Sequence, residues 1–122
     1  MIRAAFAVAL LAAGTATAQE APDGLAEAPG ATLRGLDKIA GAATDLTLSV
    51  GESVDYGSLS VKLDDCRYPA DDPASNAYAF LEITDKAVGH EVFRGWMIAQ
   101  NPALSALDHQ RYDVWVLRCR ID

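Results

Sequence analysis

Three polar side chains near the C-terminus have the types that a serine hydrolase uses, namely Ser105, Asp108 and His109. In such an enzyme an acid orients a histidine base, and the base activates a serine nucleophile. Ser105 and His109 are four residues apart and would share one face of a helix. The chain has no GxSxG sequence, which presents the nucleophile in many hydrolases. A solvated helix surface explains the segment better, so we expect no enzyme activity, and a small hydrolase is the least favoured alternative.

Acidic and imidazole side chains are the next candidates, because they are the usual ligands of metal ions. Four aspartates lie around one predicted turn, at Asp64, Asp65, Asp71 and Asp72. They lack the fixed spacing of an EF-hand calcium loop. His90 and His109 are not spaced as zinc co-ligands. We therefore predict no metal and no other cofactor, although calcium binding at the acidic loop stays open.

Aromatic side chains supply a third possible chemistry, the stacking of sugar rings. The candidates are Tyr56, Tyr68, Tyr78, Trp96, Tyr112 and Trp115. Aromatic residues on strands more often form cores and cross-strand pairs. A glycan- or small-ligand-binding domain is therefore the main alternative function. The residues predicted to form a binding surface are Trp96, Tyr112 and Arg118, the last two of which face either a short helix or a partner.

The two cysteines, Cys66 and Cys119, are the only ones in the chain. In an oxidising compartment, paired thiols become a disulfide. A bond between them would close a loop of about 50 residues and stabilise the fold by roughly 4 kcal/mol. We predict this disulfide.

The N-terminus carries the signs of export. Arg3 precedes the apolar run Ala4–Ala13, and an Ala-x-Ala cleavage site follows at Ala16 and Ala18. The run is shorter than the 20 or so residues that span a bilayer. We predict a secretory signal peptide over 1–18 and a periplasmic mature protein that is not inserted in the membrane. Residues 19–34 are rich in Ala, Pro, Gly and acid, which predicts a flexible leader, and 35–122 then form a single domain.

The formal net charge of −7 limits the range of partners. Nucleic-acid phosphates and anionic lipid headgroups would repel a protein of this charge. We expect no nucleic-acid partner and no direct docking on the bilayer.

Alternation of apolar and polar residues predicts strands through most of the remaining chain. Leu59, Val61 and Leu63 alternate with polar residues, as in a strand that is wet on one side. Cys66 falls in the wet phase of that strand, so we predict a bulge near 64–65 or a strand end. The pattern predicts six or seven mostly antiparallel strands, arranged as an all-β sandwich or a small barrel.

The last segments predict one short helix and a final strand. Asn101 is a possible helix cap and Pro102 suits the first helical position, which favours a helix of at most two turns over 101–109. Residues 112–119 are largely apolar in both phases, so we predict a central strand. In strict alternation, Trp115 shares the phase of Cys119 and should pack beside the disulfide.

Several segments together resemble a bacterial family labelled only as domain of unknown function 2155, found in alphaproteobacteria. They are Leu36–Gly41, Val50–Arg67, Ala79–Ile83, Phe93–His109 and Tyr112–Cys119. The resemblance implies an exported protein and supplies no catalytic residue. Members of this family tend to be encoded near accessory genes of the respiratory NADH:quinone oxidoreductase. The resemblance therefore also implies an accessory protein on the periplasmic face of that complex. Our leading prediction is a non-catalytic domain that docks on an envelope protein or membrane complex.

Overall fold

The computed structural model describes residues 24–122, so the predicted signal peptide and residues 19–23 lie outside the described part. Its secondary structure consists of strands and one short 3-10 turn. The strands are β1 (Leu25–Glu27), β2 (Gly30–Asp37), β3 (Ala42–Ser49), β4 (Ser53–Tyr56), β5 (Leu59–Pro69), β6 (Tyr78–Asp85), β7 (His90–Ile98) and β8 (Tyr112–Arg120). The predicted all-β class is confirmed, with eight strands in the described residues rather than six or seven.

The strands form two antiparallel sheets. The large sheet has the order β1-β5-β6-β7, with β4 also paired to part of β5. The small sheet has the order β3-β2-β8. Their inner faces pack against each other, as in a sandwich, and apolar residues from both sheets meet between them. The largest fully buried side chains are Leu33, Leu48, Leu59, Leu63, Leu81, Ile83 and Met97.

The prediction of a flexible leader over 19–34 is wrong for residues 25–34. Residues 25–27 pair with β5, and residues 30–34 belong to β2, the middle strand of the small sheet. Ala31 and Leu33 are fully buried there. Small and apolar residues suit this position because β2 packs between two neighbouring strands and under the large sheet.

The disulfide joins the two sheets. Cys66 on β5 and Cys119 on β8 are bonded, with their Cα atoms 5.8 Å apart. The register of β5 against β6 shifts between Leu63 and Asp65, which is the predicted bulge. The extra residue turns Cys66 into the inward phase, and its side chain is fully buried. Both the disulfide and the bulge are confirmed.

A second bulge explains why β8 differs from its prediction. Leu33 pairs with Val116 while Thr32 pairs with Arg118, so Leu117 is the extra residue on β8. Trp115 consequently faces away from the core and Cys119 faces into it. The prediction that Trp115 packs beside the disulfide is wrong. The prediction of a central strand is also wrong, because β8 lies at the edge of the small sheet.

The predicted two-turn helix is a single 3-10 turn at Pro102–Leu104. Asn101 makes no capping hydrogen bond with its side chain, and Ser105 is already extended. Leu107 is buried, so tertiary contact draws the chain out of the helix that local propensity favours. None of the helices in residues 24–122 is long and apolar enough to cross a membrane.

Candidate functional site

The outer face of the large sheet carries an aromatic cluster, formed by Tyr78, Phe80 and Trp96 and called here the aromatic face. Tyr78 and Phe80 alternate on β6, and Phe80 is the register partner of Trp96 on β7. The rings of Phe80 and Trp96 meet edge to face, with centroids 5.4 Å apart and planes at 82°. Trp96 stays 38 % exposed. This pairing fixes the indole on a rigid sheet while leaving much of it in solvent.

Arg67 lies on β5, across β6 from Trp96, and borders the aromatic face. Its guanidinium lies 5.6 Å from the centre of the Trp96 ring, within the range of a cation–π contact. The Nε atom donates to Asp65 at 2.9 Å, and Nη2 lies 3.6 Å from Glu27. These carboxylates hold the guanidinium over the indole and neutralise its charge.

A shallow groove runs beside these side chains. Leu25, Arg67, Tyr78 and Trp96 line a cavity of about 340 Å³. The Tyr78 hydroxyl already accepts a hydrogen bond from Asn76 at 3.2 Å, and Arg67 is ion-paired. The groove therefore offers apolar and aromatic surface with few uncommitted polar atoms, which suits an apolar side chain of a partner.

His109 and Asp85 form the most buried polar pair in the described residues. His109 Nε2 donates to Asp85 Oδ2 at 2.8 Å. Its Nδ1 accepts the backbone N–H groups of Arg111 and Tyr112 at 3.0 and 3.2 Å. The hydrogen bond from His109, together with that from the Ala87 backbone, lowers the pKa of Asp85. The pair ties the loop before β8 to the end of β6.

This geometry argues against His109 as a catalytic base. A base needs a free nitrogen lone pair that points at its substrate or nucleophile. The Nδ1 lone pair of His109 is occupied by backbone donors, and Nε2 carries the hydrogen that bonds Asp85. Ser105 lies in the extended segment after the 3-10 turn and forms no hydrogen bond with His109. The arrangement has the character of a structural clasp.

The three residues predicted to form one binding surface are separated by the fold. Trp96 lies on the outer face of the large sheet, and Arg118 is exposed on the outer face of the small sheet. Tyr112 is buried, with 6 % exposure, and its ring packs edge to face on Tyr56 at 5.3 Å. The prediction that Tyr112 belongs to an exposed surface is wrong, because the bulge at Leu117 places it in the opposite phase from Arg118.

The acidic residues of the predicted calcium loop are also divided. Asp64 and Asp65 lie on β5, where they pair with Lys62 at 3.4 Å and Arg67 at 2.9 Å. Asp71 and Asp72 lie in the exposed turn after β5. Within residues 24–122, no three His, Cys, Asp or Glu side chains are grouped so that they could hold a metal ion.

Sequence patterns missed Leu25, Phe80 and Arg67 as parts of the candidate site. Leu25 lies in a segment of leader-like composition, and its position depends on pairing of β1 with β5. Phe80 lies in the first half of β6, where the residues of both faces are apolar or aromatic, so the sequence does not show which face is outward. Arg67 directly follows Cys66, and only the bulge determines that its side chain faces outward.

Comparison with known proteins shows the family to which this chain belongs. A family model described as "Uncharacterized protein conserved in bacteria (DUF2155)" matches residues 31–119. The chain belongs to the DUF2155 family. An uncharacterized protein of Rickettsia prowazekii (strain Madrid E) is 26 % identical over 87 residues, which cover 69 % of this chain and 56 % of the relative. The chain thus spans about half the length of the curated relative that it matches. No solved structure matches this DUF2155 chain.

Proposed function

We propose that this protein is a non-catalytic interaction domain of the periplasm, which docks on another envelope protein through its aromatic face. The half-exposed Trp96 carries the proposal. Its indole is held by Phe80 and Arg67 beside a preformed groove. Tryptophan and arginine are enriched among the residues that dominate protein–protein affinity, and such residues cluster around well-packed pockets. A rigid aromatic anchor also loses little conformational entropy on binding.

The periplasmic location is supported by two features. The N-terminus has the pattern of a secretory signal. The Cys66–Cys119 disulfide is the second, because disulfides persist in oxidising compartments.

The absence of catalysis is supported by the state of His109. Both of its ring nitrogens are engaged within the fold, with Asp85 and with backbone donors. The pair therefore lacks the free base that a hydrolase of the Ser105–His109 kind would require.

A glycan is the second candidate ligand, since Trp96 and Tyr78 resemble a stacking platform. Sugar binding also needs many directional hydrogen bonds, because each hydroxyl must exchange its water partners for protein ones. In the groove, the Tyr78 hydroxyl and the Arg67 guanidinium are already bonded to neighbouring residues. An apolar side chain of a protein partner fits this lining better.

The family resemblance indicates the first partner to test, the respiratory NADH:quinone oxidoreductase. The tagged protein is expressed in its host, membranes are solubilised in mild detergent, and the tag is captured. We expect stoichiometric recovery of that complex with the wild type and a loss of at least tenfold with Trp96→Ala.

Val88→Ala is the matched control, since Val88 is an exposed apolar residue in the turn between β6 and β7. Equal loss with Val88→Ala, or recovery of the wild type without any envelope protein, would contradict docking through the aromatic face. Quenching of tryptophan fluorescence by glycan fragments, absent in Trp96→Phe, would favour the glycan alternative.

A further inference from the structure

Two arginines on the small sheet differ from the other basic residues of the described chain. Within residues 24–122, all other lysines and arginines form ion pairs; these are Arg34, Lys38, Lys62, Arg67, Lys86, Arg94 and Arg111. Arg118 and Arg120 form no such pair in the same residues. This is notable in a chain with a formal net charge of −7, in which carboxylates are in excess.

The two arginines lie side by side. Alternate residues of a strand point to the same face, and their Cα atoms are separated by about 7 Å. The register agrees, because Arg118 and Arg120 are opposite Thr32 and Gly30, which are also two residues apart on β2. Asp45 contributes an attractive charge near Arg118 without contacting it.

A groove borders these arginines. It has a volume of about 490 Å³, and besides the two arginines it is lined by Pro73, Ala74, Cys119, Ile121 and Asp122. Ile121 is 53 % exposed. We call this the arginine groove. Its walls thus combine apolar surface with two uncommitted positive charges.

The backbone along the arginine groove also lacks a partner on one side. In the described residues β8 pairs with β2 alone, so its outer edge presents unpaired N–H and C=O groups. Exposed strand edges accept an additional strand, with backbone hydrogen bonds supplying affinity and alternate side chains supplying specificity.

We propose that the arginine groove binds an extended acidic peptide segment of a partner protein, which adds a strand to the outer edge of β8. Alternate residues of such a strand have the same spacing as Arg118 and Arg120, so two carboxylates two residues apart face both guanidinium groups. The intervening apolar side chains contact Ile121, Pro73 and Ala74. A lipid surface fits less well, because the acidic remainder of the protein is repelled by anionic headgroups.

The probe is a fluorescein-labelled peptide of sequence Glu-Val-Glu-Val-Glu-Val, titrated into the oxidised protein and followed by fluorescence anisotropy. We expect saturable binding that weakens with added salt, and a loss of at least tenfold in affinity with the double variant Arg118→Ala/Arg120→Ala. Asp122→Asn should strengthen binding, since it removes a competing carboxylate from the groove. Amide NMR shifts should centre on residues 117–121.

Lys86→Ala/Arg94→Ala is the control, because it removes the same charge from the other sheet. It should change affinity less than threefold, and Trp96→Ala should leave peptide binding unchanged. Equal losses in the two double variants would overturn the site. Undiminished binding of a peptide with proline at its central positions would overturn strand addition. Failure of the wild type to bind the peptide, or competition by inorganic phosphate or phosphatidylglycerol vesicles at equal charge concentration, would overturn the proposed ligand.

Discussion

Loss of the Cys66–Cys119 bond should remove a large part of the stability of this fold. The two cysteines are 53 positions apart in the chain. For a closed loop of that length, the chain-entropy relation gives a stabilisation of about 4 kcal/mol at 25 °C. A small domain is typically stable by roughly 5–15 kcal/mol, so the loss is a substantial fraction of the total. The perturbation is the double variant Cys66→Ala/Cys119→Ala, which leaves no unpaired buried thiol.

Urea denaturation of the oxidised wild type and the double variant measures this loss. With a slope of about 1.5 kcal/mol/M, a difference of 4 kcal/mol lowers the urea midpoint by roughly 2.7 M. Because Cys66 is fully buried, its replacement also removes packing. The reduced wild type is therefore the control, since it retains the sulfur atoms and lacks only the covalent bond.

A difference of less than about 1 kcal/mol between the oxidised and reduced wild type would refute the reasoning. Such a result would mean that the disulfide bond restricts the conformations of the unfolded chain very little. Titration of two free thiols in folded protein recovered from the periplasm would contradict the bond itself.

Three further perturbations test the packing and the polar clasp. Leu81→Ala in the buried face of β6 should lower the free energy of unfolding by about 3 kcal/mol in urea titrations. Gly57→Ala should destabilise by about 2 kcal/mol in the same assay, because Gly57 has a φ of +57° and a Cβ there would collide with the Tyr112 hydroxyl. Folding lowers the pKa of Asp85 below its unfolded value of about 3.9. The stabilisation of the folded state by the Asp85 charge is therefore complete above the unfolded pKa and is lost as the pH falls through the folded pKa. The stability difference between wild type and Asp85→Asn should therefore shrink as the pH falls below 4; a difference that grows there would contradict the clasp with His109.

Sequence patterns predicted those parts of the fold in which local and tertiary preferences agree. Alternation in β5 was clear, so the conflict with Cys66 located the bulge at 64–65. The bulge at Leu117 caused no such conflict, because β8 is largely apolar in both phases and its register depends on pairing with β2. Similarly, the composition of residues 25–34 gives no sign of strands that form only through contact with β5, β3 and β8.

The candidate site was only partly predictable for a similar reason. Trp96 was identified from its residue type, and the structure leaves it exposed. Tyr112 has the same aromatic character, yet one inserted residue on β8 decides that it is buried. Asn101 and Pro102 favour a helix locally, but burial of Leu107 favours an extended path. The direction of a side chain after a bulge depends on how the strand pairs with its neighbour. For this reason Tyr112 and Arg118, which strict alternation places on one face, lie on opposite faces of β8.

Photo-crosslinking in living cells tests docking through the aromatic face most directly. A photoreactive benzoylphenylalanine is incorporated at position 78, where Tyr78 lines the groove and Trp96 stays in place, and separately at position 88, where Val88 is exposed. Light should produce one prominent cross-linked envelope protein from position 78 and none from position 88. Absence of a cross-link at position 78, or the same products from both positions, would contradict the proposed function.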